Sequence, residues 1–172
     1  MMTVRPERVT DYEAIDEVNR RAFGQEAEVR LVRALRKEPG FDPRLSMVAV
    51  RAGRMVGHIL FSPIRIENVP RFWPAISLAP VSVLPEFHRQ GIGSRLVRDG
   101  LAACQTLGHG LVVVLGHPEY YPRFGFVPAS RFGIRVPFPV PDEAFMVIGI
   151  SPGALDGVSG AVRYPTAVLD AM

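Results

Sequence analysis

Apolar residues recur along this chain with two periods, and the changes between them outline the elements. Thr3–Arg8 is a short strand candidate. Thr10-Asp11-Tyr12-Glu13 has capping-box spacing, with the Thr10 oxygen facing the N3 amide and Glu13 reaching back. The helix that follows runs to about Phe23 and sets Ile15, Val18, Ala22 and Phe23 near one face. A second helix covers Glu26–Lys37, with Val29, Leu31, Val32 and Leu35 inward. Glu26 and Glu28 occupy its first turn, where the helix dipole favours acids, and Pro39 and Gly40 end it.

The pattern then shortens to strands. Leu45–Arg51 and Met55–Ile66 pair across a tight turn at Arg51-Ala52-Gly53-Arg54, and Gly57 marks a bulge or a close backbone approach. Glu67–Pro74, with two prolines and the only tryptophan, reads as a connection. Its Phe72 and Trp73 would line a pocket, seal the core edge or meet a second subunit. Ala75–Val83 is a strand interrupted by Pro80, which lacks a ladder donor and predicts a bulge or splay there. The next helix runs from about Gly93 to Thr106, with Leu96, Val97, Leu101 and Cys104 inward and Gly100 a weak point. Leu111–Leu115 is a continuous aliphatic run, as a strand buried on both faces requires. Pro118 opens a short helix, Phe124 and Phe126 anchor the next strand, and 137–141 is extended before a strand at Ala144–Ile150.

Composition narrows the class. With 172 residues, 48% of them apolar, the chain fills one compact core, and no linker or repeat marks a second domain. The net charge of +3 comes from 20 basic and 17 acidic residues intermixed, which leaves no nucleic-acid footprint. Cys104 is the only cysteine, so no intramolecular disulfide or cysteine-based metal cluster is expected, and its place in an apolar helix face makes it core filler. The N-terminus has no apolar h-region and no stretch reaches 18 apolar residues, so a soluble cytoplasmic protein without a membrane partner is expected.

The chemistry concentrates at Val81–Val97. A strand ends there, a turn follows at Leu84-Pro85-Glu86, and a glycine loop, His88–Gly93, enters a helix. Gly91 and Gly93 permit close backbone approach or positive φ, and the helix start directs unpaired N–H groups at the loop. Together they make an anion site suited to a pyrophosphate, to which Arg89 and Arg95 add charge. No lysine follows the glycines as a Walker loop needs. No acidic residue closes the next strand as a dinucleotide fingerprint needs.

Residues 88–93 resemble instead the acyl-CoA loop of the GNAT acetyltransferases, [QR]-x-x-G-x-[GA], at Gly91 and Gly93. His88 stands where Gln or Arg is usual. Gly116–Phe126 is similar to the family segment carrying Tyr-x-x-x-Gly-Phe, at Tyr121, Gly125 and Phe126, and the two motifs keep the family's order. His58–Ile64 and Tyr120–Phe126 look most like the YhbS-type branch, and Ser151–Met172 resembles the C-terminal extension of such chains.

The resemblance implies a single domain over 1–172 of α/β (α+β) class. Its central sheet would be mixed, mostly antiparallel, flanked by helices and splayed between strands four and five. It implies an acetyl-CoA-dependent N-acetyltransferase acting by direct transfer on a primary amine, with no metal, as monomer or homodimer. Val81 and Val83 would pair with the pantetheine amides, and His88, Arg89, Gln90, Gly91, Ile92, Gly93 and Ser94 would hold the pyrophosphate. A backbone N–H at or beside Val83 would face the oxyanion. Tyr121 would be the general acid for the thiolate, against a role in core packing alone. His117 is a candidate base, with Glu119, Glu86, His58 or a water chain as competitors. Glu28 would face the acceptor or merely serve the helix dipole. A non-catalytic acyl-CoA binder and an unrelated phosphate-binding domain are the alternatives, and the acceptor is left unidentified.

Overall fold

A computed structural model describes residues 1–171. Strands β1 (Met2–Pro6), β2 (Ser46–Arg51) and β3 (Arg54–Asn68) follow one another as an antiparallel ladder, with Thr3 opposite Val50 and Val48 opposite His58. The β2–β3 turn is the two-residue loop expected: Ala52 and Gly53 both have positive φ, 50° and 75°, matching the twist of the strands they join. Helices α1 (Tyr12–Phe23) and α2 (Ala27–Arg36) precede β2, and α3 (Ile92–Thr106) follows β4 (Arg71–Val83).

The chain forms two compact units. The first comprises residues 1–62, 79–103 and 166–171, and the second 63–78 and 104–165, so β3 and β4 run through both. In the first unit Gly57 realises both readings of its position. The register slips between Ala49 and Val50, and a Cβ at Gly57 would stand 3.0 Å from Leu96 Cδ1 and 3.2 Å from Ile92 Cγ2. Its neighbour His58 points the other way, to Asn19 of α1. Side chains alternate faces along a strand, so α3 and α1 cover opposite faces of this ladder. Gly100, expected to weaken α3, lets the helix lie directly on Phe61: a Cβ there would fall 2.1 Å from Cε2. Helix α4 (Thr166–Ala171) packs beside α2.

In the second unit the start of β4 pairs in parallel with β5 (Leu111–Leu115), through Ile76 opposite Val112 and Ser77 opposite Val113. β5 pairs antiparallel with β8 (Phe145–Gly149), and β8 with the short β6 (Val127–Pro128). β9 (Gly160–Arg163) adds to β3 at Arg65–Glu67 and pairs in parallel with β7 (Ile134–Arg135). The sheet is therefore mixed, mostly antiparallel and open. Its core gathers Ile66, Val113, Phe145, Val147 and Val162, with Trp73 packed against it.

Several boundaries differ from the pattern. Thr10 does not cap α1. A 3-10 turn at Val9–Asp11 leads into the helix, and Asp11 Oδ2 accepts the Arg8 N–H at 2.7 Å while pairing with Arg5. Phe23 is 41% exposed, and the inward place on α1 is taken by Asn19, fully buried. α2 ends at Arg36, before Pro39 and Gly40. Glu67–Pro74 is not a loop: β3 extends to Asn68, β4 begins at Arg71, and only Val69-Pro70 turns the chain. Pro74 misled there because it lies within β4, as Pro80 does in the strand expected for it. Pro118 opens no helix; a 3-10 turn at Tyr121–Phe124 carries Pro122 in its first positions instead. Among the described residues no helix is long and apolar enough to cross a membrane.

Candidate active site

In the first unit, the path out of β4 is tethered at each step. The Leu84 N–H donates to Val56 O at 2.9 Å, a 3-10 turn covers Pro85–Phe87, and His88 Nε2 lies 2.9 Å from Val83 O. A carbonyl only accepts, so Nε2 carries the hydrogen and the imidazole caps the last carbonyl of the strand. Arg89 and Gly91 then take positive φ, 63° and 80°, which reverses the chain into α3; Gly93 is already helical. Gly91 O accepts the Arg95 N–H at 3.0 Å, so the amides of Ile92 and Gly93 precede the first bond of the helix ladder. They face the loop at the positive end of a 15-residue helix, as an anion site requires. Ile92 is buried against Gly57 and fixes this end of the helix. Arg95 does not add charge to the loop as expected, being bound to Asp99 and to Met2 O.

The second unit holds Tyr121 and His117. Tyr121 is 6% exposed, edge-on to Tyr120 at 5.1 Å and to Phe126 at 5.7 Å. Gly116 at the end of β5 makes room for the ring, since a Cβ there would lie 2.3 Å from Cε2. Burial, with a smaller contribution from Tyr120, pushes the Tyr121 phenol up to about 12, and its hydroxyl bonds no described residue. His117 is exposed, and its carbonyl accepts the Tyr120 and Tyr121 N–H groups, so its backbone sets the turn that places the phenol.

Two rival bases are disqualified by their surroundings. His58 is wholly buried, between Asn19 Nδ2 at 3.2 Å from Nδ1 and Ser46 Oγ at 2.9 Å from Nε2. Ser46 in turn donates to Glu7, which Arg36 grips with two hydrogen bonds of 3.1 Å. Burial, then Arg36, pushes the imidazole down to about 3, so it stays neutral and sealed. Glu86 is held at about 2, chiefly by Arg21, and its two oxygens are taken up by the Arg21 and Arg54 guanidinium groups. Glu28 accepts from Gln25 Nε2 at 3.0 Å in the manner of a first-turn acid. No group of three or more His, Cys, Asp or Glu side chains suited to a metal occurs among the described residues.

Residues 3–129, three quarters of the chain and both motifs, match the family model described as an acetyltransferase (GNAT) domain. The chain belongs to the GNAT acetyltransferase family. Within that family it is 37% identical over 164 residues to the uncharacterized N-acetyltransferase YhbS of Escherichia coli K12, covering 95% of this chain and 96% of that one. It is also 40% identical over 135 residues to YjhQ of the same organism, covering 78% and 75%. The crystal structure of E. coli YhbS in complex with CoA superposes with a TM-score of 0.87 over 96% of this chain and 91% of that one, at 33% identity. A GNAT acetyltransferase of Brucella melitensis in complex with acetyl-CoA gives 0.77 over 97% of each, at 34%.

The sequence pattern did not link Arg21, Arg51 and Arg54 to this loop, where they bind Glu86 and Gln90 in the first unit, with the Phe87 ring beside Arg51 and Arg54. The arginines come from α1 and the β2–β3 hairpin, 32 to 65 positions from the loop residues they bind, and no local spacing links them to it. The one signal was the arginine on either side of the Ala52-Gly53 turn, which a two-residue hairpin must set side by side.

Proposed function

We propose that this GNAT chain binds acetyl-CoA along Val81–Ser94 and moves its acetyl group to a primary amine by direct transfer. The carrying observation is the glycine loop entering α3, where the Ile92 and Gly93 amides and the helix dipole converge on one anion-binding position. The solved GNAT structures with CoA and acetyl-CoA, similar over nearly the whole chain, support the same ligand. Backbone groups of Val81 and Val83 serve the pantetheine amides. His88, standing where Gln or Arg is usual, ties the loop to the last carbonyl of β4.

The neutral amine attacks the thioester carbonyl, a backbone N–H beside Val83 takes the oxyanion, and the C–S bond breaks as the amide forms. Tyr121 presents its O–H to the departing sulfur. His117 accepts the proton that the amine releases. Residues 1–172 work as one catalytic domain in the cytoplasm, as a monomer or homodimer.

Isothermal titration with acetyl-CoA, desulfo-CoA and ATP, followed by turnover against an amine library, tests this. Micromolar or tighter binding of acetyl-CoA, silence with ATP and acetylation of at least one amine are expected. Tight binding with no turnover on any amine would convert the reading to a non-catalytic acyl-CoA sensor. Failure to bind acetyl-CoA would refute the assignment.

A further inference from the structure

The loop that enters α3 is gripped from outside by side chains of two other elements of its own unit. Glu86 accepts hydrogen bonds from Arg21 Nη1 and Nη2, both at 2.8 Å, and from Arg54 Nη2 at 2.7 Å. Across the Ala52-Gly53 turn, Arg51 Nη1 donates to Gln90 Oε1 at 2.6 Å. The Phe87 ring lies between, its centroid 5.7 Å from the Arg51 guanidinium and 5.4 Å from that of Arg54. The hairpin turn therefore contacts the loop on both sides of Arg89, the residue forced into the left-handed region without being glycine.

We propose that Glu86, Arg54 and Arg51 form a latch that positions the acyl-CoA loop before the ligand arrives. The proposal rests on the assignment of acyl-CoA to Val81–Ser94. A carboxylate beside a site for a pyrophosphate opposes the ligand by charge alone. Its presence there, with three guanidinium hydrogen bonds, is explained if its role is mechanical. Exposed ion pairs add little to global stability. A loop already held in its bound conformation, however, gives up less freedom on binding, and that gain appears in affinity. Arg51 and Arg54 are positioning residues: they act on the ligand through Gln90, Phe87 and Glu86.

Charge and position predict opposite signs for one substitution. Glu86→Gln removes a negative charge, so if charge were the whole role acetyl-CoA would bind more tightly. The latch predicts weaker binding, by about three- to tenfold. Arg54→Ala should weaken it similarly, and the double variant should be no worse than the poorer single, since both break one connection. Arg54→Lys should recover only part of the loss, because it keeps the charge and loses the fork. S-acetylpantetheine, which lacks the pyrophosphate, separates positioning from general loosening. In Glu86→Gln the KM for acetyl-CoA should rise several-fold more than the KM for S-acetylpantetheine. Tighter or unchanged acetyl-CoA binding in Glu86→Gln overturns the latch, and so does an equal rise in both KM values. A wild-type protein that does not bind acetyl-CoA overturns the site assignment itself, and the latch falls with it.

Discussion

Tyr121 carries a proton that its surroundings make hard to release. Burial lifts its phenol to about 12, whereas a free thiol has a reference value of about 8.5. The gap, 12 − 8.5, makes full transfer to the sulfur uphill by about 5 kcal/mol. The group therefore acts best as a hydrogen-bond donor to the developing thiolate. On the proposed mechanism, Tyr121→Phe should lower kcat roughly 100-fold, the scale of losing one preorganised donor, with little change in the KM for acetyl-CoA. A loss below threefold would leave the phenol a packing group. His58 offers a stability test. Unfolded, an imidazole titrates near 6.5; folded, His58 titrates at about 3. Between those values the unfolded chain binds a proton that the native chain refuses, so stability falls as pH is lowered through that window. The slope from this one group is at most about 1.4 kcal/mol per pH unit. Urea titrations at pH 7, 5.5 and 4.5 should show a shallower slope in His58→Gln than in wild type; equal slopes would mean that His58 titrates normally when folded. The sequence presented His58 as a strand histidine, half-buried or basic. Its actual state depends on Asn19, Ser46 and Arg36, from three other elements, and on Glu7 in the link after β1.

α3 shows how an element is positioned by what it lacks. Gly57 on the strand and Gly100 on the helix each remove a side chain where the two would collide. Replacing Gly100 by Ala would gain about 1 kcal/mol of helix propensity. The added Cβ, 2.1 Å from Phe61 Cε2, forces overpacking that costs about 1–3 kcal/mol. The clash should win: chemical denaturation is expected to show net destabilisation of Gly100→Ala, and Phe61→Leu in the same chain should recover part of it. A stabilised Gly100→Ala would show that the ring moves aside freely. Propensity alone marked Gly100 as a weak point, which describes the isolated helix and misses the strand beneath it. The same limit explains β4. Read locally, Pro74 ends a connection and Pro80 merely interrupts a strand, but a proline needs only a ladder position that asks for no donor, and neighbouring strands decide where those fall.

At the scale of the whole molecule, resemblance to a family motif picked out the Tyr121 segment, while helices α1 to α3, the β2–β3 turn and the glycine loop follow from local pattern. These features depend on φ preferences, capping and periodicity, which act over a few residues and are written where they act. Family membership is carried by similarity over residues 3–129, which include both motifs. The tertiary structure decided what depends on residues far apart. It turned Glu86 from a candidate base into a carboxylate held by Arg21 and Arg54, and it engaged Arg95 with Asp99 and the Met2 carbonyl. It also placed β9 of the expected C-terminal extension against β3. Pairing across 32 to 98 positions depends on which faces meet once the chain is closed, and no local preference encodes that choice.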